Sequence, residues 1–64
     1  MKNLVKVERA RYNLTQAELA EKLNVSRQTI HAIEKGKFNP SVILAIKMAR
    51  LFKVTVEYLF EVED

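Results

Sequence analysis

The sequence predicts an all-α domain of five short helices, the second and third of which form a helix-turn-helix. Three observations carry this. Two short amphipathic segments follow one another between Thr15 and Gly36 with only Asn24-Val25-Ser26 between them. A third segment, residues 42–52, is rich in apolar side chains and holds no Gly or Pro. The chain has 64 residues, enough for one domain and no more.

The helix-turn-helix is the most clearly written part. Thr15 followed three residues later by Glu18 is a capping box, in which each side chain satisfies an orphan backbone N–H of the other residue. Leu19, Ala20 and Leu23 then form one apolar face. Asn24 suits the turn because it tolerates a left-handed backbone better than most residues. Ser26 caps the next helix, Ile30 and Ile33 point inward from it, and Gly36 ends it as a left-handed C-cap. Ala20, with only a methyl group, lets the second of these helices cross close above the first. Arg27, Gln28, His31 and Ala32 are left on the outward face. These are groups that a DNA major groove receives: Arg pairs bidentately with guanine, Gln with adenine, and an Ala methyl meets a thymine methyl.

The other elements are read from shorter signals. Residues 4–12 form the first helix, with Asn3 as its cap, Val5, Arg9 and Tyr12 on one stripe, and Leu4 and Val7 on the next. Leu14 is expected to be buried. Phe38, in the loop 37–40, is expected to plug the core, and Pro40 pre-sets the backbone for the fourth helix, which Ser41 caps. Helix four, residues 42–52, carries more apolar residues than one face requires, and Ala45 and Ala49 allow close packing. Thr55 caps a last helix, residues 55–60. Its Val56, Tyr58, Leu59 and Phe60 exceed what a single face can bury, and the excess points to a contact with a second copy. A short strand near Glu61 and Val62, pairing with the N-terminus, is left open.

Charge distribution says more than its total of +3. Residues 1–37 carry eight Lys or Arg against four Glu, whereas residues 38–64 carry three against four Asp or Glu. The basic excess therefore accompanies the helix-turn-helix, as phosphate binding requires. The acidic end, Glu61, Glu63 and Asp64, is expected to lie away from the DNA. Cysteine is absent, so no disulfide framework or thiolate metal site is expected. His31 is the lone histidine and lacks partners for a metal site. With no Cys nucleophile and no Gly-rich phosphate loop either, no enzyme and no cofactor are expected. No apolar run approaches the roughly 20 residues of a membrane helix, and no signal-peptide layout opens the chain. The expected localisation is cytoplasmic.

The stretch LTQAELAEKLNVSRQTIHAIEKGKFNPS resembles the Cro and phage-repressor type of helix-turn-helix, the XRE family. The resemblance extends from about Val5 to Phe60, and the layout is most similar to the short stand-alone members. It implies a five-helix lambda-repressor-like fold. In the family an arginine at the position of Arg9 pairs with a glutamate late in the recognition helix, here Glu34; the pair would orient Arg9 toward a phosphate. Relatives often place a leucine where this chain has Glu8. The family uses a glutamine at the position of Gln16 to meet a phosphate. The region after helix four often builds the dimer interface, which the resemblance carries onto Val56, Leu59, Phe60 and Val62.

Roles on DNA follow from position, since phosphate contacts fix register and base contacts carry sequence. Arg27 and Gln28 are the expected base readers, with a phosphate as the competing partner of Arg27. His31 is open to a base edge, a phosphate or solvent. Ser26 and Thr29 add backbone contacts, unless Ser26 only caps. Lys35, Lys37 and Asn39 suit the neighbouring phosphates, although either lysine is equally explained as solvated surface. The expected function is sequence-specific binding of double-stranded DNA by a homodimer, with repression as the outcome. The alternative is a protein-interaction module of the antitoxin kind, with DNA binding secondary.

Overall fold

A computed structural model describes residues 2–61 of the chain. Five helices and two short strands follow in the order β1 (Lys2–Asn3), α1 (Val5–Arg11), α2 (Gln16–Leu23), α3 (Arg27–Glu34), α4 (Val42–Phe52), α5 (Val56–Leu59) and β2 (Phe60–Glu61). The expected five-helix fold is therefore present. Its terminal strands pair antiparallel, Lys2 opposite Glu61 and Asn3 opposite Phe60. Val62 and the acidic Glu63 and Asp64 lie outside the described residues.

Each helix start after α1 is capped by the hydroxyl the sequence supplies. Thr15, Ser26, Ser41 and Thr55 accept hydrogen bonds from the backbone N–H of Glu18, Thr29, Leu44 and Tyr58, at 3.0–3.1 Å. The capping box closes reciprocally, because the Thr15 N–H donates to Glu18 Oε1 at 2.9 Å. At α1 the nominal cap is Leu4, yet Asn3 Oδ1 accepts from the Val5 N–H at 3.1 Å.

Four helix ends share one device. Asn13, Asn24, Gly36 and Lys53 have φ between 55° and 73°. In each case the next residue's N–H reaches back to a carbonyl five residues earlier: Leu14 to Arg9, Val25 to Ala20, Lys37 to Ala32 and Val54 to Ala49. This left-handed reversal satisfies carbonyls that would otherwise be orphaned, and it bends the chain back over the core. Gly36 and the two Asn adopt it at low cost. Lys53 has a Cβ and no local polar compensation, so it bears strain on the order of 1 kcal/mol.

The core gathers Val5, Leu19, Ala20, Leu23, Ile30, Ile33, Ala45, Met48, Ala49, Phe52, Leu59 and Phe60. Burial of Ala20 is what lets α2 and α3, the most extensively packed pair, approach closely. Three expectations need correction. Phe38 does not plug the core; it is half-exposed in the connection between α3 and α4. Leu59 and Phe60 are not surplus: β2 pairing and the Leu4 N–H to Leu59 carbonyl bond at 2.9 Å turn both side chains into the chain's own core. Leu14, expected to be buried, is half-buried and packs against the core.

Candidate nucleic-acid interface

The geometry of the helix-turn-helix is set by a polar network that joins three helices. Arg9 of α1 donates from Nε to Glu34 Oε2 at 2.7 Å and from Nη2 to Oε1 at 3.3 Å. Its Nη1 donates to the Leu14 carbonyl at 2.8 Å. The Glu34 side chain is 5% exposed and that of Arg9 is 17% exposed, so the pair is largely withdrawn from water and each charge depends on the other. Gln16, at the first position of α2, donates from Nε2 to Glu34 Oε1 at 3.0 Å, and the same nitrogen lies 3.4 Å from His31 Nδ1. Asn3 closes the far end by donating from Nδ2 to the Ile33 carbonyl at 2.7 Å. Glu34 is therefore the residue on which the entry to α2, helix α1 and the recognition helix α3 converge.

This arrangement explains how α3 is presented. Ile30 and Ile33 are fully buried, Glu34 is tied down, and Ser26 and Thr29 share a hydroxyl contact of 2.9 Å at the cap. The opposite face is left to solvent. Arg27, Gln28, His31 and Lys35 are exposed and Ala32 is half-buried between them. Lys37 and Asn39, beyond the reversal at Gly36, are also exposed. Among the described residues the ion pairs are Arg9–Glu34 and Arg11–Glu8, and none of these residues places a carboxylate at salt-bridge distance from Arg27, Lys35 or Lys37.

The structure places the expected site residues in three groups. Arg27, Gln28, His31, Ala32 and Lys35 form one outward face, with Lys37 and Asn39 following it. Arg9 and the Gln16 amide turn inward to Glu34, and Ser26 and Thr29 are occupied at the cap. Leu59 and Phe60 belong to the core, and Val56 packs against it. Sequence reading found the Arg9–Glu34 pair through family resemblance. It missed the link from Gln16 to Glu34 and His31, for which the sequence carries no local signal.

Near the same network lies a buried acid that the function does not use. Glu8 is 1% exposed; its Oε2 accepts from the Tyr58 hydroxyl at 2.9 Å and from Arg11 Nη1 at 3.3 Å, and its Oε1 has no partner among the described residues. The hydrogen bond to Glu8 raises the Tyr58 phenol above its ordinary value of 10.0, because ionisation would surrender the donated proton. Among the described residues no group of three or more His, Cys, Asp or Glu gathers to hold a metal ion. No described helix is long and apolar enough to cross a membrane.

A capped helix pair held on a shared core, with a cationic and amide-bearing outer face, defines a helix-turn-helix DNA-binding domain. A helix-turn-helix family model, HTH_3, matches residues 5–59, and the chain belongs to this XRE-type family. It is 59% identical over 64 residues to an uncharacterized HTH-type transcriptional regulator of Methanocaldococcus jannaschii, covering 100% of this chain and 97% of that one. It is 48% identical over 64 residues to one of Archaeoglobus fulgidus, covering 100% and 91%. With the uncharacterized regulator YgzD of Bacillus subtilis it shares 45% over 64 residues, covering 100% and 97%. The function at this level is DNA-binding transcription regulation, and the protein is not an enzyme.

Proposed function

We propose that the protein is a repressor that binds a near-palindromic operator as a homodimer. In this reading α3 enters the major groove, and half-sites lie about one helical turn, roughly 34 Å, apart. The observation that carries the proposal is the exposure of Arg27 and Gln28 at the first turn of a helix whose opposite face is fixed by Ile30, Ile33 and Glu34. A rigidly held helix keeps these side chains at a constant depth and angle, as base readout needs.

Arg27 and Gln28 read bases, with His31 and Ala32 beside them on the same face. Lys35, Lys37 and Asn39 meet phosphates on the strand that flanks the groove. Gln16 contributes chiefly through the backbone N–H groups of the first turn of α2, since its amide is committed to Glu34. Arg9 acts by positioning α3 and not by a free guanidinium, and Ser26 and Thr29 act by capping it. Repression is favoured over activation because occupancy alone blocks a promoter, whereas activation needs a further contact with polymerase.

The test is selection of sites from a random duplex pool, followed by affinities of Arg27→Ala and Gln28→Ala. Each substitution is expected to cost about 1–3 kcal/mol on the selected site and less on random duplex. Equal losses on both DNAs would remove the base-reading assignment. Failure to enrich an inverted repeat would remove the two-fold operator.

A further inference from the structure

Gln16 does more than close the network behind α3, because it also touches the histidine on the outer face. Its amide nitrogen lies 3.0 Å from Glu34 Oε1 and 3.4 Å from His31 Nδ1. Glu34 decides which way this amide points. That carboxylate receives Arg9 Nε at 2.7 Å and Nη2 at 3.3 Å, and a guanidinium is always charged. An ionised carboxylate accepts and cannot donate, so the NH2 end of Gln16 faces it and the amide oxygen points away. One amide hydrogen is used on Glu34, and the second is left to reach the imidazole.

The state of the ring follows. A neutral imidazole carries its proton on one nitrogen and a lone pair on the other, and the bond made at one nitrogen decides which. With an N–H aimed at it, Nδ1 is the acceptor and Nε2 holds the proton. Nε2 has no partner among the described residues, and its side chain is exposed beside Arg27 and Gln28. His31 lies four residues after Arg27 and three after Gln28, so the three share adjoining turns of one helix face.

We propose that Gln16, anchored by Glu34, holds His31 in the Nε2–H tautomer, so that His31 enters the major groove as a hydrogen-bond donor and reads an acceptor on a base edge. The inference rests on the base-reading assignment of α3 above and gives the chemistry of one of its contacts. The acceptors open to it are guanine N7 and O6, adenine N7 and thymine O4, whereas the amino groups of cytosine and adenine are donors and are rejected. Gln16 is thus a positioning residue for specificity: its side chain touches no base, yet it decides what His31 pairs with. The buried carboxylate that ties α3 to α1 also sets the polarity of a reader on the outer face.

Two measurements test this. The first is 15N NMR of the imidazole in the free protein, at a pH where the ring is neutral, with two-bond couplings identifying the protonated nitrogen. In the wild type Nε2 is expected to hold the proton throughout. In Gln16→Ala the Nδ1 signal should move toward the exchange average of the two tautomers. The second is selection of sites from a random duplex pool with His31→Ala, Gln16→Ala and the double variant. His31→Ala should flatten the base preference at one position of the half-site by about two- to tenfold, the worth of a single neutral hydrogen bond. Gln16→Ala should flatten the same position, spare those read by Arg27 and Gln28, and add little in the double variant. These are ratios between sites for one protein, so a loss of stability or of general affinity does not move them.

A ring protonated on Nδ1, or an Nδ1 signal that Gln16→Ala leaves in place, would overturn the proposal. So would a Gln16→Ala variant that loses affinity uniformly on all sequences, or a His31→Ala variant that shifts no base preference; the latter gives His31 to a phosphate or to solvent. Where Arg27→Ala and Gln28→Ala still lose more on the selected site than on random duplex, base reading by α3 stands and the tautomer assignment alone falls.

Discussion

Replacing Glu8 with leucine should make the protein more stable, although it removes two hydrogen bonds. Glu8 is 1% exposed and has one carboxylate oxygen with no partner among the described residues. Dehydrating a carboxylate costs several kcal/mol even after the surroundings relax. The ion pair that offsets this is weak, because Arg11 is 66% exposed at its side chain and the contact is 3.3 Å long. In Glu8→Leu, Arg11 and the exposed Tyr58 hydroxyl regain water, and a buried leucine adds about 1.5–3 kcal/mol of apolar burial. The net expectation is a gain of about 1–3 kcal/mol, consistent with the 1–4 kcal/mol often gained when buried ion pairs become apolar. For a chain of this size each kcal/mol moves the melting temperature by about 4–8 °C. Thermal and urea unfolding read the stability, and ultraviolet titration of Tyr58 reads the lost hydrogen bond. The Tyr58 phenol should fall back toward 10.0 from its raised position. Tyr58→Phe is expected to destabilise the wild type, by removing a donor from a buried acid, and to have little effect in the Glu8→Leu background. A less stable Glu8→Leu, or an unmoved Tyr58 titration, would refute the reasoning.

Two further outcomes follow from the helix ends. Lys53→Gly relieves a left-handed backbone that carries a Cβ and should stabilise the fold by about 1 kcal/mol in urea unfolding, while Asn24→Ala at the equivalent place after α2 should destabilise it. Glu18 has its carboxyl held below the ordinary 4.5, first by its hydrogen bond from the Thr15 backbone and then by that with the Thr15 side chain. Because the folded value is the lower one, this contribution is complete above the unfolded value and is lost as pH falls through the folded one. Protection of the amides at the start of α2, measured relative to their intrinsic exchange rates at each pH, should therefore fall below about pH 4.5, and Glu18→Gln should remove that pH dependence.

What the sequence determined by itself is local. Thr15 with Glu18, Ser26, Ser41 and Thr55 start helices through bonds that span three residues. Asn24 and Gly36 end them through reversals that span five. Such contacts form wherever the short segment occurs, so residue type and spacing suffice to read them. The outward face of Arg27, Gln28 and His31 was legible for the same reason, since it is the complement of Ile30 and Ile33 on one helix.

The tertiary structure decided what depends on residues far apart in the chain. Glu8 is buried because Tyr58, fifty residues later, lends it a hydroxyl. Gln16 turns inward because Glu34 arrives beside it from α3. Leu59 and Phe60 enter the core where β2 pairs with β1 at the other end of the chain, whereas Val42, Ile43 and Phe38 remain outside. Hydrophobicity marks all five of these side chains equally. Which of them faces the core is fixed only by tertiary packing, because a short helix has more apolar positions than its one buried face can hold.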